Sequence, residues 1–235
     1  MMSYLERLWD AGERHLAAGR YVAARRELEA AEGLAWRKRD AATLARVYLP
    51  LLEARRQIRL NAVVGVFVVG AAGHAGLEAF LRRGAGTILW AGHDAGSIAS
   101  GCKAAGSVRY ASSRAGSCLE ALLVLEHHGE VRVASPVDAT LAGGLAGVKL
   151  PGAGVWDPAK AEMRAGHAAA REALLLAWEA LALHWQARHP LHVKGPSVQA
   201  AWEEMAWLRL ALRVDGACEP VAMRVMALAE AVERG

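Results

Sequence analysis

The feature that most constrains the fold is a change of hydrophobic period near residue 62. Four short apolar segments follow, and each ends in a turn of small residues: AVVGVFVVG (62–70), TILWAG (87–92), SVRYAS (107–112) and EVRVAS (130–135). Helix-like stretches follow the first three, and a spacing of roughly 20–25 residues per unit is typical of β–α alternation. We therefore predict an α/β fold with a small parallel sheet of about four strands. The first segment shows no polar alternation, which predicts a central strand covered on both faces.

The N-terminal segment, residues 1–60, has a helical period instead. Apolar residues recur every three or four positions in two stretches that Gly19 separates, which predicts a pair of helices. Asp40 is a suitable N-cap for a third helix, and Pro50 within it should kink or shorten that helix.

The first two predicted helices resemble a tetratricopeptide repeat, a helix–turn–helix of 34 residues. The residues that carry the resemblance are Leu8, Ala11, Gly12, Gly19, Tyr21, Ala24, Leu28 and Ala31. It covers one repeat, about residues 5–38, and the proline that the family places near the end of the repeat is replaced by Trp36. The resemblance implies a helical hairpin that binds other proteins; an ordinary alanine-rich α-hairpin is the alternative reading.

The rest of the chain divides into a loop and a helical region. Residues 141–156 are rich in glycine and proline, which predicts a loop or linker. Residues 157–235 are expected to be helical, with Asp157 and Ser197 as N-caps and Gly216 as a stop. Two apolar stripes should face a core: Leu174, Trp178, Leu181 and Trp185, then Trp202, Met205, Leu208 and Leu212. We expect the segments 1–60, 61–140, 141–156 and 157–235 to form one compact unit.

Charge and cysteine content bound the function. The net charge is +4, and the first 60 residues hold twelve Lys/Arg against eight Asp/Glu, so the basic excess lies there. Arg55, Arg56 and Arg59 could meet an acidic partner, or could simply be a solvated helix surface. Three cysteines without C-x-x-C spacing favour reduced thiols in the cytoplasm, and no apolar run is long enough for a membrane span. Nucleic acid binding is not expected, because most tryptophans fall in core stripes.

The clearest chemical motif is G-x-x-G-x-x-G at Gly70, Gly73 and Gly76, between an apolar segment and a helix-like one. Glycines there let backbone N–H groups approach a phosphate at a helix N-terminus. The motif resembles the dinucleotide-binding loop of extended short-chain dehydrogenases, and residues 62–135 look Rossmann-like. The resemblance implies an NAD(P) or other nucleotide site to which His74, Asp94 and Arg114 contribute. A tight β–α turn without ligand is the alternative.

Two departures argue against dehydrogenase chemistry: the catalytic motif is missing, and no second half of the sheet is evident, because residues 157–235 are expected to be all helical. The family's Tyr-x-x-x-Lys is absent, because Arg114 stands four residues after Tyr110 and no other tyrosine follows residue 60. The histidines are not spaced as metal ligands, so no metal is expected. Small polar residues at strand ends, His93 and Ser112 among them, could form a nucleophilic set or serve as caps.

Two functions remain open. The first is a non-catalytic interaction or scaffold protein that uses its helical N-terminal region and needs no cofactor. It would bind a protein partner, and the basic excess of that region favours an acidic one. The second is an enzyme or sensor that binds a nucleotide or phosphorylated ligand at the Gly70–Gly76 loop.

Overall fold

The structure is a computed structural model that describes residues 3–69, 74–92, 95–127, 130–134, 148–149, 168–188, 197–214 and 216–234. Its helices are α1 (Tyr4–Ala17), α2 (Tyr21–Lys38), α3 (Ala41–Ala62), α4 (His74–Leu81), α5 (Ala95–Ala115), α6 (Ala168–Arg188), α7 (Val198–Val214) and α8 (Glu219–Arg234). Its strands are β1 (Val66–Val69), β2 (Ala85–Gly92), β3 (Cys118–His127), β4 (Glu130–Ala134) and β5 (Val148–Lys149). The contacts divide the chain into a helical unit, residues 1–57 with 185–235, and a sheet unit, residues 58–184.

The helical unit begins with the predicted hairpin. Ser3 and Glu6 form a reciprocal capping box at the start of α1. Gly19, at φ +68°, makes the turn into α2. The two helices approach closely at Gly12, where an added Cβ would lie 2.5 Å from Cγ of Leu28. The predicted helical hairpin is therefore present; its membership of the tetratricopeptide family stays an expectation.

The third helix starts where the sequence predicts. The carboxylate of Asp40 accepts a hydrogen bond from the backbone N–H of Thr43 at 2.9 Å, which caps α3. Pro50 does not shorten α3, which runs on to Ala62. The buried face of α3 includes Leu44, Val47, Tyr48 and Leu51.

Two helices from the C-terminal part complete the helical unit. Ser197 caps α7 through a 3.0 Å hydrogen bond from the N–H of Ala200. The predicted stripe Trp202, Met205, Leu208 and Leu212 is buried. Arg55 on α3 donates hydrogen bonds to Glu29 on α2 and to the carbonyl of Gly216 before α8, at 3.0 and 3.2 Å. These bonds tie α2, α3 and the α7–α8 turn together.

The sheet unit has a mixed five-strand sheet in the order β1-β2-β3-β4-β5 among the described residues. β1, β2 and β3 are parallel, with α4 and α5 as their connections. β4 and β5 continue antiparallel from β3. One face packs on α6 through the predicted stripe of Leu174, Trp178 and Leu181. Phe80 of α4 and Val108 of α5 cover the other face, so the coarse α/β prediction is confirmed.

The strand assignments between residues 107 and 127 were wrong. Residues 107–112, predicted as a strand, lie in α5, whose buried residues Gly101, Ala104, Val108 and Ser112 have a helical spacing. Residues 118–127, predicted as a helix, are β3. Leu119, Leu123 and Leu125 pack on the α4–α5 side, whereas Leu122 and Val124 pack on the α6 side. Because both faces of β3 are covered, its sequence lacks the alternation that marks a half-buried strand.

Two other expectations for the sheet also fail. β3, not the first apolar segment, is central, because it pairs with β2 on one side and β4 on the other. β1 stands at the end of the strand order of the described sheet. The predicted 141–156 loop contributes Val148–Lys149 as β5. Asp157 lies outside the described residues, as does most of that loop.

Candidate binding cleft

The predicted phosphate loop falls mostly outside the described residues. Gly70, Gly73 and Asp94 are not described, and neither is the side chain of His74. β1 ends at Val69 and α4 begins at His74, with Gly76 in its first turn. The strand-to-helix context that the motif requires is present, because β1 is parallel to β2.

Arg114 does not lie where the motif requires it. It is in the last turn of α5, exposed, and donates a 2.8 Å hydrogen bond to the hydroxyl of Tyr110. α5 follows the carboxyl end of β2 and runs back to the amino end of β3. There the N–H of Cys118 bonds to the carbonyl of Gly84, just before β2. Arg114 therefore belongs to the edge of the sheet opposite the glycine loop. This correction follows from residues 107–112 being helical.

The arginines predicted to meet an acidic partner form contacts with other residues of the same chain. Arg55 is held by Glu29 and Gly216, and its side chain is only 19% exposed. Arg56 forms a 3.2 Å ion pair with Glu219. The guanidinium of Arg59 lies 4.8 Å from the ring centre of Trp178. Charge alone therefore does not make this stretch a free basic surface.

A different group of cations borders a cleft in the helical unit. The cleft has a volume of about 200 Å³ and lies between the C-terminal end of α2 and the first half of α7. It is lined by Trp36, Arg39, Gln199, Trp202, Glu203 and Ala206. The last four have the spacing i, i+3, i+4 and i+7, which places them on one face of α7. Gln199 donates a 2.8 Å hydrogen bond to Glu203 within this face.

Arg39 reaches the cleft through an unusual backbone conformation. It is the residue after α2, with φ +52° and ψ +39°, and its N–H bonds back to the carbonyl of Trp36 at 3.1 Å. Glycine usually occupies this left-handed position at a helix end, because a Cβ costs about 1–2 kcal/mol there. The guanidinium of Arg39 lies 5.7 Å from the ring centre of Trp202. Strain of this kind in a non-glycine residue is common at functional positions.

The walls of the cleft are two tryptophans in edge-to-face contact. The ring centres of Trp36 and Trp202 are 5.3 Å apart, and their planes meet at 68°. Such aromatic pairs contribute about 0.5–1.5 kcal/mol beyond the area that they bury. Arg209 of α7 packs on Trp36, with its guanidinium carbon 4.5 Å from the ring centre. The two rings are therefore adjacent, with Arg209 packed on the first and Arg39 on the second.

A buried polar network supports Arg209. Oε1 of Glu32 accepts hydrogen bonds from Nε of Arg209 and, at 2.7 Å, from the hydroxyl of Tyr48. Oε2 of Glu32 accepts a second bond from Nη2 of Arg209 at 2.9 Å. Forked bonds of this type fix the plane of a guanidinium as well as its position. The network joins α2, α3 and α7.

The network holds its members in fixed charge states. Burial, together with the negative charge of Glu32 and the hydrogen bond to it, raises the pKa of Tyr48 far above its usual value of 10. Burial lowers the pKa of Arg209, but the hydrogen bond and charge of Glu32 outweigh it, so the net shift is upward. Tyr48 thus stays a hydrogen-bond donor and Arg209 a cation at neutral pH.

The side chains that line the cleft combine aromatic, amide and charged groups. Its lining offers two indole rings, one exposed guanidinium, one carboxamide and one carboxylate, and no thiol, hydroxyl or imidazole. Among the described residues, no group of three or more His, Cys, Asp or Glu side chains is placed to hold a metal. Within the same part of the chain, no helix is long and apolar enough to cross a bilayer.

Sequence reasoning placed Trp202 correctly in a buried stripe but missed the cleft. The available signal was the run Trp36-Arg37-Lys38-Arg39, an aromatic residue followed by three cations at a helix end. Its meaning depends on α7, which lies about 160 residues later in the chain.

Comparison of the chain with protein-family models, with curated proteins and with solved structures finds no match. The geometry of the described residues therefore carries the functional argument alone.

Proposed function

We propose that this chain is a non-catalytic interaction protein whose helical unit binds an acidic segment of a partner protein at the Trp36–Trp202 cleft. The observation that carries the proposal is Arg39, an exposed cation held in a left-handed conformation over Trp202 at the mouth of the cleft. Its side chain can bind a carboxylate while a neighbouring side chain of the partner enters the cleft.

The size of the cleft favours a protein partner over a cofactor. Pockets for drug-sized ligands and cofactors measure about 300–1,000 Å³, whereas this one holds about 200 Å³. That volume suits one large side chain of a partner, packed against the uncovered sides of the two indoles. Buried aromatic and arginine residues dominate the energies of such contacts.

The charge around the mouth favours an acidic segment. Arg37, Lys38 and Arg39 are consecutive and all exposed, and these three cations outnumber the one carboxylate of the lining, Glu203, which accepts a hydrogen bond from Gln199. Like charges would repel a basic partner at this rim, and acidic residues would be attracted during encounter. The interaction should therefore weaken as ionic strength rises.

Peptide binding tests the proposal. A fluorescent glutamate-rich peptide with one central leucine is titrated with the intact chain, and its lysine-rich counterpart serves as the charge control. We expect the acidic peptide alone to bind. Arg39→Glu should weaken binding at least about tenfold, since a charge reversed at a contact costs on the order of 1.4 kcal/mol or more.

Arg213→Glu is the matched control. Arg213 is an exposed residue in the last turn of α7 and does not line the cleft. Arg213→Glu changes the net charge by the same amount as Arg39→Glu but leaves the cleft intact, so we expect an affinity within twofold of wild type. If both variants lost the same amount of peptide affinity, net charge alone would explain the loss, and the cleft would be refuted as the binding site.

A second candidate function rests on the sheet unit. The loop from Gly70 to Gly76 follows β1, which is parallel to β2, and leads into α4. We propose as the alternative that a nucleotide or other phosphorylated ligand binds there. A thermal-shift screen with NAD, NADP, ATP, S-adenosylmethionine and sugar phosphates tests it, since a bound ligand raises stability by mass action. A ligand that stabilises wild type and a folded Gly73→Val variant equally would disprove binding at the loop, as would a screen without any shift.

The three cysteines indicate the kind of cellular compartment in which the protein would meet its partner. Cys102, Cys118 and Cys218 are far apart in the sequence and lack C-x-x-C spacing, which favours reduced thiols. A reducing compartment such as the cytoplasm is therefore part of the proposal.

A further inference from the structure

We infer that Glu32, Arg209 and Tyr48 are positioning residues of the cleft: they hold Trp36 in place for the partner without touching the partner themselves. The inference rests on the proposed function for its binding consequence. Its structural part, the control of Trp36 by Arg209, stands on contacts within the helical unit alone.

The first step concerns how Trp36 is held. It lies in the last turn of α2 and is only half-buried, so backbone and core packing leave part of its ring uncovered. Two contacts fix the plane of the ring: the edge-to-face contact with Trp202 and the guanidinium of Arg209 at 4.5 Å. Without Arg209, the contact with Trp202 would be the one remaining described contact that fixes the plane of the Trp36 ring.

The second step concerns how Arg209 is held. Arginine side chains have many rotamers, and a stacked guanidinium is useful only if its plane is fixed. Glu32 binds two nitrogens of Arg209 at once, and Tyr48, only 2% exposed, donates to the same carboxylate. Buried Tyr48 therefore orients the carboxylate of Glu32, which in turn orients the guanidinium of Arg209.

The third step concerns charge. Glu32 neutralises Arg209, so this arginine adds little net attraction for an acidic partner. Arg39, in contrast, is exposed, and no ion pair of Arg39 is found among the described residues. The two cations that flank the tryptophan pair thus have different tasks: Arg39 faces the partner, and Arg209 orients the ring behind it.

The helical unit contains a matched control for this arrangement. Arg224 of α8 forms the same forked ion pair with Glu204 of α7, at 2.8 and 3.4 Å. Glu204 is as buried as Glu32, with side chains 9% and 12% exposed. No aromatic ring among the described residues stacks on Arg224. Arg224→Met therefore removes a similar ion pair and leaves the cleft untouched.

Two readouts separate positioning from stability. The near-UV circular dichroism of Trp36 is obtained as the difference between each protein and its Trp36→Phe version, and the affinity for the glutamate-rich peptide is measured in parallel. Arg209→Met should remove most of the Trp36 signal and weaken the peptide about 3- to 10-fold, the range of one cation–π contact. Arg209→Lys, which keeps the charge but loses the fork, should be intermediate. Arg224→Met should leave both readouts within twofold.

Tyr48→Phe is the milder variant if Arg209→Met does not fold, because it removes one hydrogen bond from Glu32 and should reduce the Trp36 signal partially. An unchanged Trp36 signal in Arg209→Met and Tyr48→Phe, or equal changes in the Arg209 and Arg224 variants, would overturn the inference. If wild type does not bind the peptide, the proposed function fails, and the spectroscopic comparison still decides whether Arg209 positions Trp36.

Discussion

Arg39 is the residue at which the proposed binding function has a cost in stability. Its left-handed backbone ends α2 and directs the side chain over Trp202. A glycine would make the same turn at lower energy, but it would bring no cation to the cleft. The conformation and the side chain together are the reason that the proposed function assigns Arg39 to partner contact rather than to folding.

The raised pKa of Tyr48 predicts how the stability of the protein changes with pH. Its pKa is raised in the folded protein, so it is neutral in both states below pH 10, and the stability it confers is complete there. Above pH 10 the unfolded chain loses this proton first, and stability falls as the pH rises towards the folded pKa. We expect wild type to lose about 1.4 kcal/mol per pH unit more than Tyr48→Phe in this range.

Urea denaturation of both proteins between pH 8 and pH 11 checks the Tyr48 prediction. The difference between the two proteins isolates Tyr48 from the remaining tyrosines, lysines and cysteines, which titrate alike in both. At pH 8 the variant itself should be less stable by about 1–3 kcal/mol, the usual loss for a broken bond to a buried charged group. Parallel pH curves for the two proteins would contradict the account.

At the scale of the element, the α1–α2 hairpin depends on a single missing side chain. An added Cβ at Gly12 would lie 2.5 and 2.7 Å from Cγ and Cδ2 of the fully buried Leu28. Gly12→Ala should therefore destabilise the helical unit by about 1–3 kcal/mol, reduced by up to about 1 kcal/mol of helix propensity. The free energy of unfolding from urea titration measures it.

Gly33→Ala is the control for the hairpin. Gly33 is also inside a helix, α2, but its nearest neighbour to an added Cβ is a guanidinium nitrogen of Arg37 at 3.8 Å. It should gain stability from helix propensity, by up to about 1 kcal/mol. A Gly12→Ala variant that is as stable as Gly33→Ala would mean that the two helices do not approach as closely as described.

The elements also show where sequence reasoning reaches its limit. Helices with caps and one apolar face, such as α3 with Asp40 and α7 with Ser197, could be predicted because their signals are local. β3 could not, since its leucines favour a helix in isolation and only its central place in the sheet overrides them. Because residues 107–112 were predicted as a strand, Arg114 was wrongly predicted to lie at the same edge of the sheet as the glycine loop.

At the scale of the whole molecule, the chain order and the folded units do not coincide. The helical unit combines residues 1–57 with 185–235, and the sheet unit lies between them in sequence. The cleft therefore brings together Trp36 and Trp202, one from each part of a discontinuous unit. A cleft assembled in this way leaves no contiguous motif, so the residues that form it could not be predicted from the sequence.

If Arg39 makes the cleft a binding site for an acidic segment, its replacement must lower the affinity for that segment. The most direct measurement is the dissociation constant of the glutamate-rich peptide for wild type and Arg39→Gly, with the free energy of unfolding of each protein measured alongside. The account predicts at least about tenfold weaker binding, with stability unchanged or raised by up to about 1 kcal/mol as the left-handed strain is relieved. Equal affinities in two stably folded proteins would contradict it.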